Sequence, residues 1–336
     1  MAKGNLFERV LRTARNYDMF KTGDTALIAV SGGPDSVFLL HALKFLQSKL
    51  KLKKLFVCNL DHGIRGKESS ADSLFVKKMA EDMNIGFIHK AIDLASNKPK
   101  ELSTEEAGRE ERYKFFGEAA RTAGAGVIAT GHTLDDQAET ILMRIIKGAS
   151  LKGMAGISPV RCEDAVRVVR PLIELEKREI EKYLDDRSVA YRIDSTNLKP
   201  IYFRNTVRNE ILPYLEKHNP RIKRVLSSLA EHLREDFEFI KEAKNNAVYG
   251  TRGAARSDGS VELKLKDIVV QPKAIQKEIL RDALENAGGE VKRLSFRHWK
   301  ELEHIIAMKS KGSHADLPGD IRITRTSASL VLRKRA

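Results

Sequence analysis

Between residues 31 and 36 the chain reads Ser31-Gly32-Gly33-Pro34-Asp35-Ser36, a set of residues suited to holding phosphate. Adjacent glycines let a backbone take left-handed or crowded conformations, so successive amides can converge on anionic oxygens. The two serines add hydroxyl donors. An apolar run, Ala26-Leu27-Ile28-Ala29-Val30, precedes the loop, and a segment of helical composition follows it. Strand, loop and helix are therefore predicted, with the amide end of the helix dipole aimed at the same point. No lysine closes the loop, which separates it from the GxxxxGK phosphate loop. Asp35 is the discordant member, because a carboxylate repels phosphate unless a cation or a donor network intervenes. The loop thus implies magnesium or a second substrate nearby, the alternative being a plain strand-to-helix turn.

A second cluster follows the run Ala125-Gly126-Val127-Ile128-Ala129-Thr130 and includes His132, Asp135, Asp136 and Glu139. Acidic residues at the start of a helix commonly cap it, and Asp135 and Asp136 can be read that way. A cap does not account for Glu139, three residues beyond Asp136 and four beyond Asp135, which places an acidic face on one side of the helix. His132 stands at the end of the strand, where it contacts nucleotide or phosphate or simply terminates the strand with a satisfied polar group. His62 and Arg65 hold a similar place after Leu60-Asp61. No cysteine cluster accompanies the histidines, so they are not read as a zinc site.

The elements that must position these groups follow from hydrophobic patterning. Apolar runs at 26–30, 55–60, 85–88 and 125–130 read as strands, alternating with helices from near Ser36 through Leu43, at 70–83 and from Thr104 onward. Continuously apolar strands separated by helices indicate an α/β fold: a doubly wound, mostly parallel sheet covered on both faces. Ligands of such sheets bind beyond the carboxyl ends of the strands, where Ser31, Asp61 and His132 fall. Residues 172–240 read as mainly helical, interrupted near Asp194-Ser195-Thr196-Asn197, Pro200 and Pro213. The glycine- and arginine-containing stretch 247–260 reads as a linker or mobile loop. Beyond it, the alternation of Val261, Leu263 and Leu265, two amphipathic helices and a terminal hairpin through Ile321, Ile323, Leu330 and Leu332 predict a small α+β domain. The expected division is residues 1–215 for nucleotide binding and catalysis, 216–245 as a helical connector, and 246–336 as the α+β domain.

The 336 residues carry 60 Lys and Arg against 46 Asp and Glu, a net charge of +14 that favours a polyanionic partner, although basic excess also serves solubility. Arg204, Asn205 and Arg208 suit contact with RNA bases or phosphates, or else a solvated helix face. Two cysteines, Cys58 in a predicted strand and Cys162 in a predicted loop, are too few for a disulfide framework or a four-cysteine metal site. The start of the chain lacks a signal-like apolar core, and no run approaches bilayer length, so a cytoplasmic protein without membrane contact is expected. The composition leaves a homodimer open.

The loop pattern Ser-Gly-Gly-x-Asp-Ser resembles the signature of the PP-loop ATP pyrophosphatases. Further stretches narrow the resemblance to the tRNA(Ile)-lysidine synthetase family: Leu60-Asp61-His62-Gly63-Ile64-Arg65, Ser103-Thr104-Glu105-Glu106-Ala107 through Arg112-Tyr113, Thr130 through Thr140, Gly153-Met154-Ala155-Gly156-Ile157, Arg170-Pro171-Leu172, Asp194-Ser195-Thr196-Asn197 and Arg204 through Pro213. These span residues 24 to 235; the tail is matched mainly by Leu317-Pro318-Gly319. The resemblance implies that ATP adenylates the C2 oxygen of the wobble cytidine of the CAU-anticodon isoleucine tRNA, and that free L-lysine then displaces AMP. It implies ATP phosphates on Ser31, Gly32, Gly33, Pro34, Asp35 and Ser36, with His62 and His132 near the nucleotide. Asp35 and Asp136 would hold Mg2+ or orient the reactants, and Arg112, Asp136 and Glu139 would surround the bound lysine. Arg204, Asn205 and Arg208 would face RNA or a domain boundary. Family members can carry a further C-terminal domain for which this chain is short, so the sequence reads as a short form or as part of a longer protein. A tRNA 2-thiolation enzyme and a non-catalytic basic RNA-binding protein remain the alternatives at this level.

Overall fold

The computed structural model describes residues 6–61, 67–93, 104–163, 166–192, 203–247, 259–307 and 312–335. The chain divides into two compact units, Met1–His232 and Leu233–Ala336.

The first unit is built on a six-stranded sheet of β1 (Thr25–Ala29), β2 (Lys54–Asp61), β3 (Gly86–Ala91), β4 (Val127–Ala129), β5 (Val160–Glu163) and β6 (Val166–Val169), in the order β3-β2-β1-β4-β6-β5. Neighbours from β3 to β6 run parallel, and β5 closes the edge antiparallel to β6. This is the predicted doubly wound arrangement, with the order reversing at β1 and β4. The central strands are apolar on both faces because helices cover both sides. Leu27, Ile28, Val57 and Val127 are fully buried.

The β5–β6 hairpin was not expected, and it corrects the placement of Cys162. That residue lies exposed in edge strand β5 opposite Arg167 rather than in a loop. Strands of four residues with charged side chains at alternate positions carry little apolar signal, which hides an edge strand from sequence patterning.

Helices α1 (Leu6–Asn16), α2 (Pro34–Leu46), α3 (Lys67–Asp82), α4 (Thr104–Ala123), α5 (Leu134–Lys147), the single turn α6 (Leu151–Met154) and α7 (Lys177–Asp185) accompany the sheet. An aromatic cluster fixes one group of them. Phe7 of α1 stands 5.6 Å from Phe38 of α2, and Tyr183 of α7 meets Phe38 edge-on at 5.1 Å between centroids. Such pairs add about 0.5–1.5 kcal/mol each beyond the area they bury. Arg9 adds a forked contact to Glu179 at 2.5 and 3.1 Å. The start of α7 is thereby held beside the start of α2, far from it in sequence.

Beyond α7 come α8 (Phe203–Thr206), a π-helical turn over Val207–Ile211, α9 (Leu212–His218) and the long α10 (Ile222–Ala247), which runs across the division between the units. Val207, Leu212, Leu226 and Ala230 pack with Ala138, Ile141 and Leu142 of α5.

The second unit contains β7 (Val261–Lys264), α11 (Leu265–Val269), α12 (Lys273–Asn286), α13 (Phe296–Ala307), β8 (His314–Leu317), β9 (Ile321–Arg325) and β10 (Ser329–Lys334). Its antiparallel sheet has the order β7-β10-β9-β8. The expected hairpin is present, with Leu332 opposite Ile323. Leu265, read as continuing the strand alternation, instead opens α11; it stays buried in the same core as Leu280, Leu302, Ile323 and Leu330.

Candidate active site

The phosphate-loop sequence forms a tight turn at the carboxyl end of β1. Gly32 adopts φ +92°, a conformation that a side chain would strain. Gly33 is extended, and Pro34 opens α2, where its fixed φ suits the first turn and its missing N–H costs nothing. Ser36 ties the loop from within: its hydroxyl donates to the Gly33 carbonyl at 2.9 Å and accepts the Ser31 amide at 3.2 Å. The Ser31 hydroxyl is exposed and lies 3.3 Å from that of Ser36. Ser31 thus remains open to an incoming group, whereas Ser36 shapes the turn. Gly131 lies against this loop so closely that a Cβ there would stand 3.2 Å from the Asp35 carbonyl carbon.

Asp35 at the start of α2 and Asp136 and Glu139 of α5 are brought together by shared basic partners, and Asp135 lies beside them on α5. Thr133 caps α5 in a reciprocal box. Asp136 Oδ2 accepts the Thr133 amide at 2.9 Å and its hydroxyl at 2.8 Å. Of the two acids anticipated as caps, Asp136 alone takes part in this box, as the partner of Thr133, and it uses only one of its oxygens there. The other, Oδ1, receives Lys177 Nζ and Arg204 Nη2, both at 3.2 Å. Asp135 turns elsewhere: it accepts the Lys177 amide at 2.8 Å and pairs with Lys223 at 2.8 Å. Glu139 is almost completely buried, at 1% exposure, and both its oxygens are occupied. Arg204 Nε donates to Oε2 at 2.8 Å, while Arg208 Nε and Nη2 reach Oε1 and Oε2 at 2.6 and 3.0 Å. The π-helical turn carries Arg208 to this position, and such turns recur at functional sites.

Burial and charge compete here residue by residue. Burial pushes the Asp35 carboxyl up to about 7; Lys177 opposes the rise, while Asp136, Asp135 and Glu181 reinforce it. Burial also works against charge on Asp136, but Lys177, Arg204 and the Thr133 amide outweigh it and hold that carboxyl below the ordinary range. The Lys177 ammonium is disfavoured by burial, yet Asp136 and Asp35 raise its pKa. Burial drives His132 down to about 3, so its imidazole is neutral; its Nδ1 lies 2.9 Å from the Thr130 hydroxyl. Asp35 Oδ1 is buried and has no hydrogen-bond partner among the described residues. A buried carboxylate oxygen left without a partner is costly to maintain.

A PP-loop domain model matches residues 6–215. The tRNA(Ile)-lysidine synthase of Clostridioides difficile (strain 630) is 34% identical over 329 residues, covering 97% of this chain and 70% of the relative. That of Caldanaerobacter subterraneus subsp. tengcongensis is 34% identical over 333 residues, covering 98% and 69% respectively. The chain belongs to the tRNA(Ile)-lysidine synthase family. Among solved structures, the U34-tRNA thiolase NcsA from Methanococcus maripaludis superposes with a TM-score of 0.57 at 19% identity, covering 68% of this chain and 78% of the thiolase, which is a likeness of fold.

Against the residues anticipated for a lysidine synthase, the structure brings together Asp35, Asp136, Glu139, Arg204 and Arg208. Asn205 is buried on the same short helix as Arg204. Arg204 and Arg208 point into the acidic centre of the synthase domain instead of onto an open face. Arg112 is exposed on α4, whereas Tyr113 beside it reaches Arg170 Nη2 at 3.4 Å. His62, Arg65 and the Asp194-to-Asn197 stretch lie outside the described residues. Sequence reasoning missed Lys177, which pairs with Asp136 at 3.2 Å and Asp35 at 3.7 Å. One signal was available: a lysine on the first turn of a helix opposes the helix dipole and calls for an acidic partner. The oxygens of Asp35 and Asp136 suit a small hard cation such as Mg2+, which is typically held by one or two carboxylates together with substrate phosphates. The unpartnered Asp35 Oδ1 fits that use. Among the described residues, no group of three or more His, Cys, Asp or Glu side chains forms a complete metal cage.

Proposed function

We propose that this chain ligates free L-lysine to C2 of the wobble cytidine in the CAU-anticodon isoleucine tRNA at the expense of ATP. The observation that carries the reading is the convergence of Asp35, Asp136 and Glu139 beside an open phosphate loop, in a chain aligned to lysidine synthases over nearly its whole length. In the first step the C2 oxygen attacks the α-phosphorus of ATP, the α–β bridging bond breaks, and pyrophosphate leaves. The ε-amine of lysine then attacks C2, the C2–O bond breaks with AMP as the leaving group, and the amine gives up its proton.

Each part of the centre has a task in this chemistry. Loop amides and the Ser31 hydroxyl orient the polyphosphate. Asp35 and Asp136 would hold Mg2+, which when bound supplies positive charge against the phosphates. Neutral His132 serves as a hydrogen-bonding neighbour of the nucleotide. Glu139 and Asp136 receive the substrate ammonium as Arg204 and Arg208 turn toward RNA phosphate, and Arg112 pairs with the lysine carboxylate. Asp136 accepts the proton lost by the amine once Lys177 and Arg204, which hold its carboxyl below the ordinary range, have left Oδ1. Residues 1–215 do the chemistry, 216–245 connect, and 246–336 select the tRNA.

The deciding experiment is pyrophosphate release from ATP with an unmodified isoleucine tRNA transcript and lysine supplied together or singly. Release followed by labelled lysine at the wobble nucleotide is expected only with the full set. Labelled lysine absent from the RNA, with the protein folded, would overturn the assignment.

A further inference from the structure

The phosphate loop carries no lysine of its own, yet the fold delivers one to it. Lys177 is the first residue of α7, where the partial positive charge of a helix end disfavours a cation. Its side chain is only 24% exposed, which adds a desolvation cost. Both penalties fall on one ammonium and are offset by Asp136 and Asp35. The placement is firm: the Lys177 amide is bound to Asp135, and α7 is held to α2 through Tyr183 and Phe38. The ammonium therefore stands on the pair of carboxylates assigned above to a divalent cation, next to the unpartnered Oδ1 of Asp35. Arg204 and Arg208 pair with Glu139 and Asp136 rather than with Asp35, so among the described residues Lys177 is the cation that reaches Asp35.

We propose that Lys177 is an exchange residue: it is the internal counter-ion of Asp35 and Asp136 before substrates arrive, and it yields them to Mg2+ and turns to the ATP polyphosphate. The inference rests on the reading of Asp35 and Asp136 as the cation-binding pair. Mg2+ and the ammonium compete for the charge of the same two carboxylates, the ammonium now facing Oδ2 of Asp35 and Oδ1 of Asp136, so binding one disfavours the other. A lysine side chain has four methylenes and a compact, rotatable head, so the ammonium can swing while α7 stays fixed. Released, it faces the amide end of α2, where the loop gathers negative charge and has no lysine to meet it.

The test uses the full chain with Lys177→Met and Lys177→Arg. Mg2+ alone is titrated calorimetrically, and pyrophosphate release is measured at saturating Mg2+ with tRNA and lysine. Lys177→Met is expected to bind Mg2+ about tenfold more tightly, through loss of a competing charge, yet to release pyrophosphate about a hundredfold more slowly. Lys177→Arg should keep near-normal Mg2+ affinity and recover part of the rate. A structural lesion would weaken both properties. Unchanged or weaker Mg2+ binding by folded Lys177→Met overturns the counter-ion role, and undiminished release overturns the phosphate role. If the methionine variant does not fold, Lys177→Gln carries the same comparison. Asp35→Asn in the otherwise native chain tests the underlying reading separately: loss of Mg2+ binding sustains the cation pair even where the lysine variants fail, and unaltered binding refutes it.

Discussion

Arg204 and Glu139 lie 65 residues apart in sequence and meet at 2.8 Å in the buried centre. With Arg208 on the same carboxylate, the acid is satisfied by two guanidinium groups that each retain some contact with solvent. This arrangement makes Glu139 both a structural keystone and a group that substrate must win from its present partners.

Glu139→Gln should therefore affect both stability and lysine use. Removing one partner of a buried pair costs about 3–5 kcal/mol, and the partial exposure of both arginines reduces this to about 2–3 kcal/mol. Urea unfolding measures the first effect; lysine-dependence curves at saturating ATP and RNA measure the second. A folded variant with normal lysine dependence and weakened ATP binding would move Glu139 to the nucleotide side.

Thr133→Ala removes the hydroxyl that orients Asp136 while leaving the acid in place. The lost cap should cost about 1–2 kcal/mol, and pyrophosphate release should fall with it because Asp136 Oδ1 loses its aim. Thr133→Ser restores the hydroxyl and should restore both properties. Equal rates in the alanine and serine variants would detach the cap from the chemistry.

His132 sets a pH dependence of known sign. Its folded pKa, about 3, lies below the ordinary histidine value, so the unfolded chain binds the proton first as pH falls. The stability supplied by neutral His132 is full above about pH 6.5 and declines as pH drops toward 3, at up to about 1.4 kcal/mol per pH unit. His132→Asn should flatten the stability profile between about pH 6.5 and 5, before most carboxylates titrate. Parallel wild-type and variant profiles in that window would show that the ring is not held neutral by the fold.

Gly156 and Gly23 separate backbone strain from steric conflict. Both have positive φ, +68° and +87°, but a Cβ on Gly156 would stand 2.7 Å from Gln137 Oε1, whereas nothing lies within 4 Å at Gly23. Gln137 uses that oxygen to accept the Ile157 amide at 2.6 Å. Gly23→Ala should cost about 1–2 kcal/mol, and Gly156→Ala about 1–3 kcal/mol more. Similar melting shifts in the two variants would mean that Gln137 yields without cost.

In the second unit, Arg325 donates to the carbonyls of Ile305 and Ile306 at the end of α13, while Arg333 and Lys334 are exposed on β10. Arg325→Gln should lower domain stability. The double variant Arg333→Gln, Lys334→Gln should leave stability unchanged, weaken tRNA binding and reduce the salt-dependence slope by about 1–2. Unaltered affinity and slope would leave these charges as solvated edge residues.

The layout of the first unit was legible because its strands are short apolar runs between helices, and the phosphate loop because glycines, serines and Asp35 occupy consecutive positions. The acidic face through Asp136 and Glu139 followed from helical spacing. Their partners did not: Lys177, Arg204 and Arg208 arrive by tertiary packing, and residue type alone does not distinguish an arginine that grips RNA from one that neutralises a buried acid. Edge strand β5 was hidden by its four-residue length and by Arg161 and Glu163 at alternate positions.

The π-helical turn at Val207–Ile211 also has a consequence for comparison between chains. An i→i+5 turn accommodates one residue more than the regular helix around it. A related protein that lacks the turn would align with a one-residue gap inside a helix, where gaps are usually taken as mistakes. Closing that gap would rotate every later side chain of the helix by about 100°, assigning Arg208 to a neighbour that faces elsewhere. The structural phase of this segment, more than its residue count, decides which arginine corresponds to which.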